Sequence, residues 1–262
     1  MSINIIIYIL AFIFGAIMGS FLNVVIYRLK ITKNGKASIN LGGRSKCLNC
    51  KKELTLIELI PILSFIFLGA KCKNCKKPIS WQYPLVETIS GILTLLPLYF
   101  LGFASIYAYI SILILYLFIV IFFYDLKELI IPDVILYPLF FLILIFDIIK
   151  LAQHEVMLTN LFLGGLIGGG LFVVLVFFSR EKWMGWGDVK LGFLLGLLVA
   201  YPYIIVSHVM AFIIGAVISL ILIGFRGKTL KSEVPFAPFL VLAATITLFW
   251  GQMIINWYFR GF

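Results

Sequence analysis

Two groups of residues in this chain have the types and spacing that chemistry requires. The first is the set of four cysteines in "SKCLNCKKEL" and "GAKCKNCKKPI": Cys47-x2-Cys50, a gap of 21 residues, then Cys72-x2-Cys75. Two such knuckles can place four thiolates in a tetrahedron around one Zn2+. The competing reading is a pair of disulfides or a redox couple. A reducing compartment disfavours it, and an external location would favour it. The neighbouring lysines favour thiolates without implying catalysis. The second group is acidic: Asp125, at the end of the apolar run in "YLFIVIFFYDLKELIIPD", and Asp188, between glycines and an apolar run in "WMGWGDVKLGFLLGLL".

Carboxylates beside apolar spans need a reason to be there. At the centre of a span an acidic group costs roughly 2.5–3.5 kcal/mol on insertion scales, and less near the interface. Asp188 follows Gly187 at the start of a helical run, so it fits a helix cap as well as a catalytic role. Asp133, after Pro132, reads as a cap, and Asp147, beside Lys150, as an interfacial residue. Asp125 has no such account, because it meets the negative end of the helix dipole. Two carboxylates brought close together cannot both ionise, so one keeps a proton while the other acts as base. That is the chemistry of aspartyl peptide hydrolysis, without a metal or a covalent intermediate. Spacing alone shows only that Asp125 and Asp188 belong at similar membrane depth. The two histidines, His154 and His208, fall toward the other face, which argues against a Ser/His/Asp site. No phosphate-cradling glycine loop is present.

The elements that must position these residues are membrane helices. Of 262 residues, 63% are hydrophobic and 12% charged, against roughly 25% charged in soluble domains. An all-α integral membrane protein follows. A bilayer-crossing helix needs about 20 apolar residues, and eight runs qualify: 4–27, 82–101, 104–124, 131–149, 158–179, 188–205, 207–225 and 236–257. Only "AYPYIIVS" divides the sixth from the seventh, so seven spans is the alternative count. The organisation is then a first transmembrane helix over 1–27, a cytoplasmic cysteine loop over 28–81 resembling a zinc ribbon, and a polytopic domain over 82–262.

Charge sets the orientation. "MSINIIIYIL" carries no basic residue and "YRLKITK" follows the first span, the reverse of a secretory signal. The first helix is expected to be retained with its N-terminus outside. Nineteen of the 21 lysines and arginines then fall on the cytoplasmic side, leaving Lys150 and Arg260 outside. The net charge of +10 is therefore a topological signal, and no nucleic-acid partner is expected. Asp125 and Asp188 share the cytoplasmic face with the cysteine loop. Glycines at four-residue spacing, Gly15 and Gly19, Gly164 and Gly168, Gly192 and Gly196, mark places where helix backbones can approach closely. The denser "GGLIGGG" is also a candidate to loosen the fifth helix.

Six elements in order resemble the type IV prepilin peptidases, bifunctional leader peptidase/N-methyltransferases of the inner membrane. They are "GSFLNVVIYRL" (19–29), the two cysteine knuckles, "YPLVE" (83–87), "DLKELIIPD" (125–133), "GWGDVK" (185–190) and "VPFAPFL" (234–240). The Gly-x-Gly-Asp element also recurs in presenilin-like intramembrane aspartyl proteases. The resemblance implies that Asp125 and Asp188 are the catalytic pair. It further implies cleavage of prepilin or pseudopilin leaders at the cytoplasmic membrane face, followed by methylation of the new N-terminus from S-adenosylmethionine. The cysteine loop distinguishes the bifunctional members from peptidase-only relatives; no methyl-donor residues are indicated. The first knuckle has Leu48 where the family often has proline, which leaves thiolate ligation intact. Glu128, Asp133 and Glu181 are candidates to attract a basic leader, although solvated surface charge is the better account of Glu128 and Glu181. The other class of function to weigh is a transporter with Asp125 and Asp188 as coupling carboxylates. Transporters usually carry such groups near the midplane in repeated halves. The third is a zinc-dependent scaffold without chemistry, which leaves Asp125 unexplained.

Overall fold

The computed structural model describes residues 2–31, 37–226 and 234–260. Lys33, Lys36, Lys228 and Lys231, four of the orientation-setting charges, lie outside the described residues. The chain divides into two compact units, 1–120 and 121–262.

The first unit opens with α1 (Ser2–Arg28), continuing directly into a short antiparallel hairpin, β1 (Leu29–Ile31) with β2 (Ala37–Ile39). Each cysteine knuckle then closes by the same pair of backbone bonds. Cys47 N–H donates to Lys52 O and Lys51 N–H to Cys47 O, both at 2.9 Å; Cys72 N–H donates to Lys77 O at 2.9 Å and Lys76 N–H to Cys72 O at 3.0 Å. In both, the residue four after the first cysteine takes a left-handed backbone, Lys51 at φ 60° and Lys76 at φ 58°. The apolar insert between them forms a 3-10 turn (Ile57–Leu59) and a short α2 (Leu63–Phe67). Phe65 is buried and Leu56, Ile57 and Phe67 are largely exposed.

Helix α3 (Gln82–Leu101) packs along α1 through the predicted glycines. A Cβ on Gly19 would lie 2.7 Å from the Glu87 Cα, and one on Gly15 would lie 2.8 Å from the Ser90 carbonyl oxygen. Only hydrogen fits at that separation. Helix α4 (Ile106–Glu128) begins in this unit, where Tyr116 and Thr94 share a buried hydroxyl hydrogen bond of 2.7 Å.

The second unit holds the end of α4, then α5 (Asp133–Ala152), α6 (Leu158–Ser179), α7 (Trp186–Val199), α8 (Tyr203–Arg226) and α9 (Ala237–Arg260). Helices α6 and α7 meet backbone to backbone: a Cβ on Gly164 would collide with the Gly196 carbonyl oxygen, and one on Gly168 with that of Gly192. Helix α6 is continuous through the glycine-rich run. His208 is a packing residue, with Nε2 3.1 Å from the Gly168 carbonyl oxygen and its ring against Phe172. Asp147, near the C-terminal end of α5, is only 5% exposed.

Among the described residues, seven helices are long and apolar enough to cross a membrane. The remaining expected span, the sixth (188–205), is met by α7, which is helical for only 14 residues. At 1.5 Å per residue it reaches about 21 Å. It stops at Ala200, where the backbone turns to φ 61° before "YP".

Candidate active site and metal centre

The structure brings the acidic pair together within the second unit. Asp125 is on the last turn of α4 and only 5% exposed. Its carboxylate receives the backbone N–H of Ala237, the first residue of α9, and lies within electrostatic reach of Asp188. A helix N-terminus presents unsatisfied donors and a partial positive charge. It therefore supports here a charge that the dipole of α4 opposes.

Asp188 sits in the first turn of α7 and does cap the helix: its Oδ2 accepts the Gly185 N–H at 3.2 Å, while its own N–H donates to Gly185 O at 3.1 Å. The cap fixes the side chain at the helix entrance and occupies one carboxylate oxygen. Gly187 lies against Ile131, where a Cβ would come within 3.1 Å of the Ile131 Cβ. The stretch after Asp125 is thereby packed on the stretch before Asp188.

The acidic neighbours are otherwise engaged. Asp133 makes no side-chain cap; Pro132 is the capping position of α5, and Asp133 Oδ1 instead accepts from Lys190 Nζ at 2.7 Å. Glu181 accepts from the Trp186 indole at 2.8 Å, and Glu128 pairs with Lys127 at 2.9 Å. These contacts favour local structure over a leader-attracting role for Glu128 and Glu181. Sequence reasoning missed the Ala237 amide. The "VPFAPFL" element was its only trace, because proline near a helix start marks where free backbone donors begin.

In the first unit, the four cysteine sulfurs all lie within 4.8 Å of one another, with Cys47 and Cys75 at 3.9 Å. A disulfide needs about 2.05 Å. Zn–S bonds near 2.3 Å in a tetrahedron put sulfurs about 3.8 Å apart, so a small contraction suffices. The donor set also fits a cation electrostatically. Cys50 is held down to about 6 by the Lys52 amide, then by the Asn74 side chain, and Cys72 is lowered by the Cys75 and Asn74 amides. At Cys75 the Lys77 amide pulls downward, but burial and the Cys72, Cys50 and Cys47 sulfurs together push the thiol up to about 11. Bringing the sulfurs together therefore opposes the Cys75 thiolate. A divalent ion removes the conflict.

Residues 13–101 match the bacterial peptidase A24 N-terminal domain, and residues 112–220 match the type IV leader peptidase family. The chain is 31% identical over 276 residues to the prepilin leader peptidase/N-methyltransferase of Legionella pneumophila, covering 96% of this chain and 94% of the relative. It is 30% identical to that of Pseudomonas aeruginosa (95% and 92% covered) and 29% identical to that of Bacillus subtilis (95% and 96% covered). No solved structure gives a significant match.

Proposed function

Because the chain belongs to the prepilin leader peptidase/N-methyltransferase family, we propose that Asp125 and Asp188 are the dyad with which it cleaves prepilin leader peptides. The protein is a multi-pass membrane enzyme combining an aspartic endopeptidase with an N-methyltransferase. The observation that carries the dyad is the setting of Asp125: buried at a helix C-terminus, supported by the Ala237 amide, and electrostatically coupled to Asp188. A transporter reading has no support, since the relatives are named as peptidases and methyltransferases.

In the proposed reaction the ionised carboxylate takes a proton from water as the water oxygen attacks the scissile carbonyl carbon. The protonated carboxyl donates to the carbonyl oxygen, and collapse of the tetrahedral species transfers a proton to the departing amine. The dyad returns to its starting protonation. The Gly185 cap holds Asp188 in place during this exchange.

Zinc is the ion that best suits four thiolates in a tetrahedron, and Cys47, Cys50, Cys72 and Cys75 would hold it as a closed structural site. S-adenosylmethionine, when bound, supplies a sulfonium methyl group to the new N-terminal amine. The 28–81 loop is assigned to that second activity and the polytopic remainder to cleavage. The basic-residue asymmetry supports an inner-membrane protein with its N-terminus outside, and the loop and aspartates cytoplasmic. Type IV prepilins or pseudopilins are the substrates.

Asp125→Asn and Asp188→Asn keep side-chain size and remove the exchangeable charge. Each should lower leader cleavage by at least about a thousandfold, as expected when members of one catalytic unit are lost singly. Cleavage of a prepilin in detergent or nanodiscs reads this out, with unchanged thermal unfolding as the control. Near-normal turnover in either variant rejects the dyad.

A further inference from the structure

A cavity of about 630 Å³ lies within the first unit, walled by α1, the cysteine loop and the start of α3. Its size suits a cofactor-sized molecule. Glu87 lines it at 7% exposed, accepting the Ile62 N–H at 2.7 Å and a hydrogen bond from Ser20. Among the described residues no lysine, arginine or histidine pairs with it. Buried carboxylates are normally matched by positive charge. On the same wall Asn23 is 1% exposed; its Nδ2 donates to Gly19 O and Tyr83 O, while its Oδ1 has no partner. Both side chains offer acceptors, so this end of the cavity suits a ligand group that brings donors and positive charge, while Arg28, Arg44, Lys46 and Lys51 line the remainder and suit an anionic group. Buried Phe65 adds apolar wall, and the exposed Lys73 and Lys77 line the cavity where a ligand carboxylate can be met.

We propose that this cavity is the methyl-donor site, with Glu87 facing the cationic portion of S-adenosylmethionine and Asn23 accepting one of its N–H groups. The assignment rests on the methyltransferase activity given above. It explains the cysteine loop mechanically: the knuckles form one wall of the cavity, so an ordered metal centre would keep it open. The chemistry also matches the ligand, which combines a flat apolar base, a sulfonium, an ammonium and a carboxylate.

Equilibrium binding of labelled S-adenosylmethionine to the full-length protein tests this without turnover. Glu87→Gln should weaken binding at least tenfold. S-adenosylhomocysteine, which lacks the sulfonium charge, should lose much less, so the preference between the two ligands narrows. Prepilin cleavage and zinc content should stay near wild type. Equal binding by the variant and the wild type overturns the assignment. Should the variant misfold, azido-adenosyl photolabelling of the wild-type protein decides the matter. Label within residues 20–87 supports the site, and label confined to 121–262 overturns it. A wild-type protein that neither binds nor transfers the methyl group would instead reject the methyltransferase reading itself.

Discussion

Asp125 and Asp188 show how far a side chain's meaning depends on what its backbone neighbours offer. Asp188 is both a helix cap and half of the proposed dyad, and the two roles are compatible because the cap uses only Oδ2. Asp125 could be singled out in the sequence because a carboxylate at a helix C-terminus lacks a local excuse. What supports it could not, since the Ala237 amide lies 112 residues further on and backbone donors carry no sequence signature. The same holds for Glu87 and the Ile62 N–H. The cysteines were legible as a metal set because their spacing is itself the geometric constraint. They also yield a pH prediction. The Cys50 thiol is lowered from 9.0 to about 6, so the folded loop favours its thiolate. That contribution is present in full above the unfolded value and is lost as pH falls through about 6. Metal binding requires thiolates as well. Zinc content of the purified protein should therefore hold at pH 8 and fall steeply below pH 6, with chelation at pH 6 stripping it faster than at pH 8. Retention unchanged down to pH 5 would argue against a four-thiolate site.

At the level of elements, glycine spacing foretold which helices approach most closely, and the pairs α1–α3 and α6–α7 meet through those residues. It could not foretell the partners, because a glycine stripe says that something comes near and not which helix does. Nor did hydropathy mark where α7 ends, since the apolar run continues beyond the helical stretch. Two neighbouring glycines on α6 make a matched test. A Cβ on Gly168 collides with the rigid carbonyl of Gly192, whereas one on Gly170 meets nothing within 4 Å. Gly168→Ala should destabilise the protein by roughly 1–3 kcal/mol, the usual cost of overpacking. Gly170→Ala should be neutral or stabilising by up to about 1 kcal/mol, from reduced chain entropy. Thermal unfolding in detergent compares them, and cleavage should drop only in the first, since α7 carries Asp188. Equal effects would mean that the α6–α7 contact is not tight.

For the whole molecule, the two proposed sites fall in separate compact units, the cysteine cluster and cavity in 1–120 and the acidic pair in 121–262. Activity at one can thus be lost with the other intact. The all-α membrane class and the basic-residue asymmetry were readable in composition, because a bilayer imposes length and charge rules on sequence directly. One helix departs from those rules. With only 14 helical residues, α7 falls about 9 Å short of the roughly 30 Å hydrocarbon thickness. Most of α7 is buried against α5, α6, α8 and α9, so the missing length is made up by neighbouring helices and not by lipid. The helix that carries Asp188 is thereby shielded from the bilayer by its own neighbours.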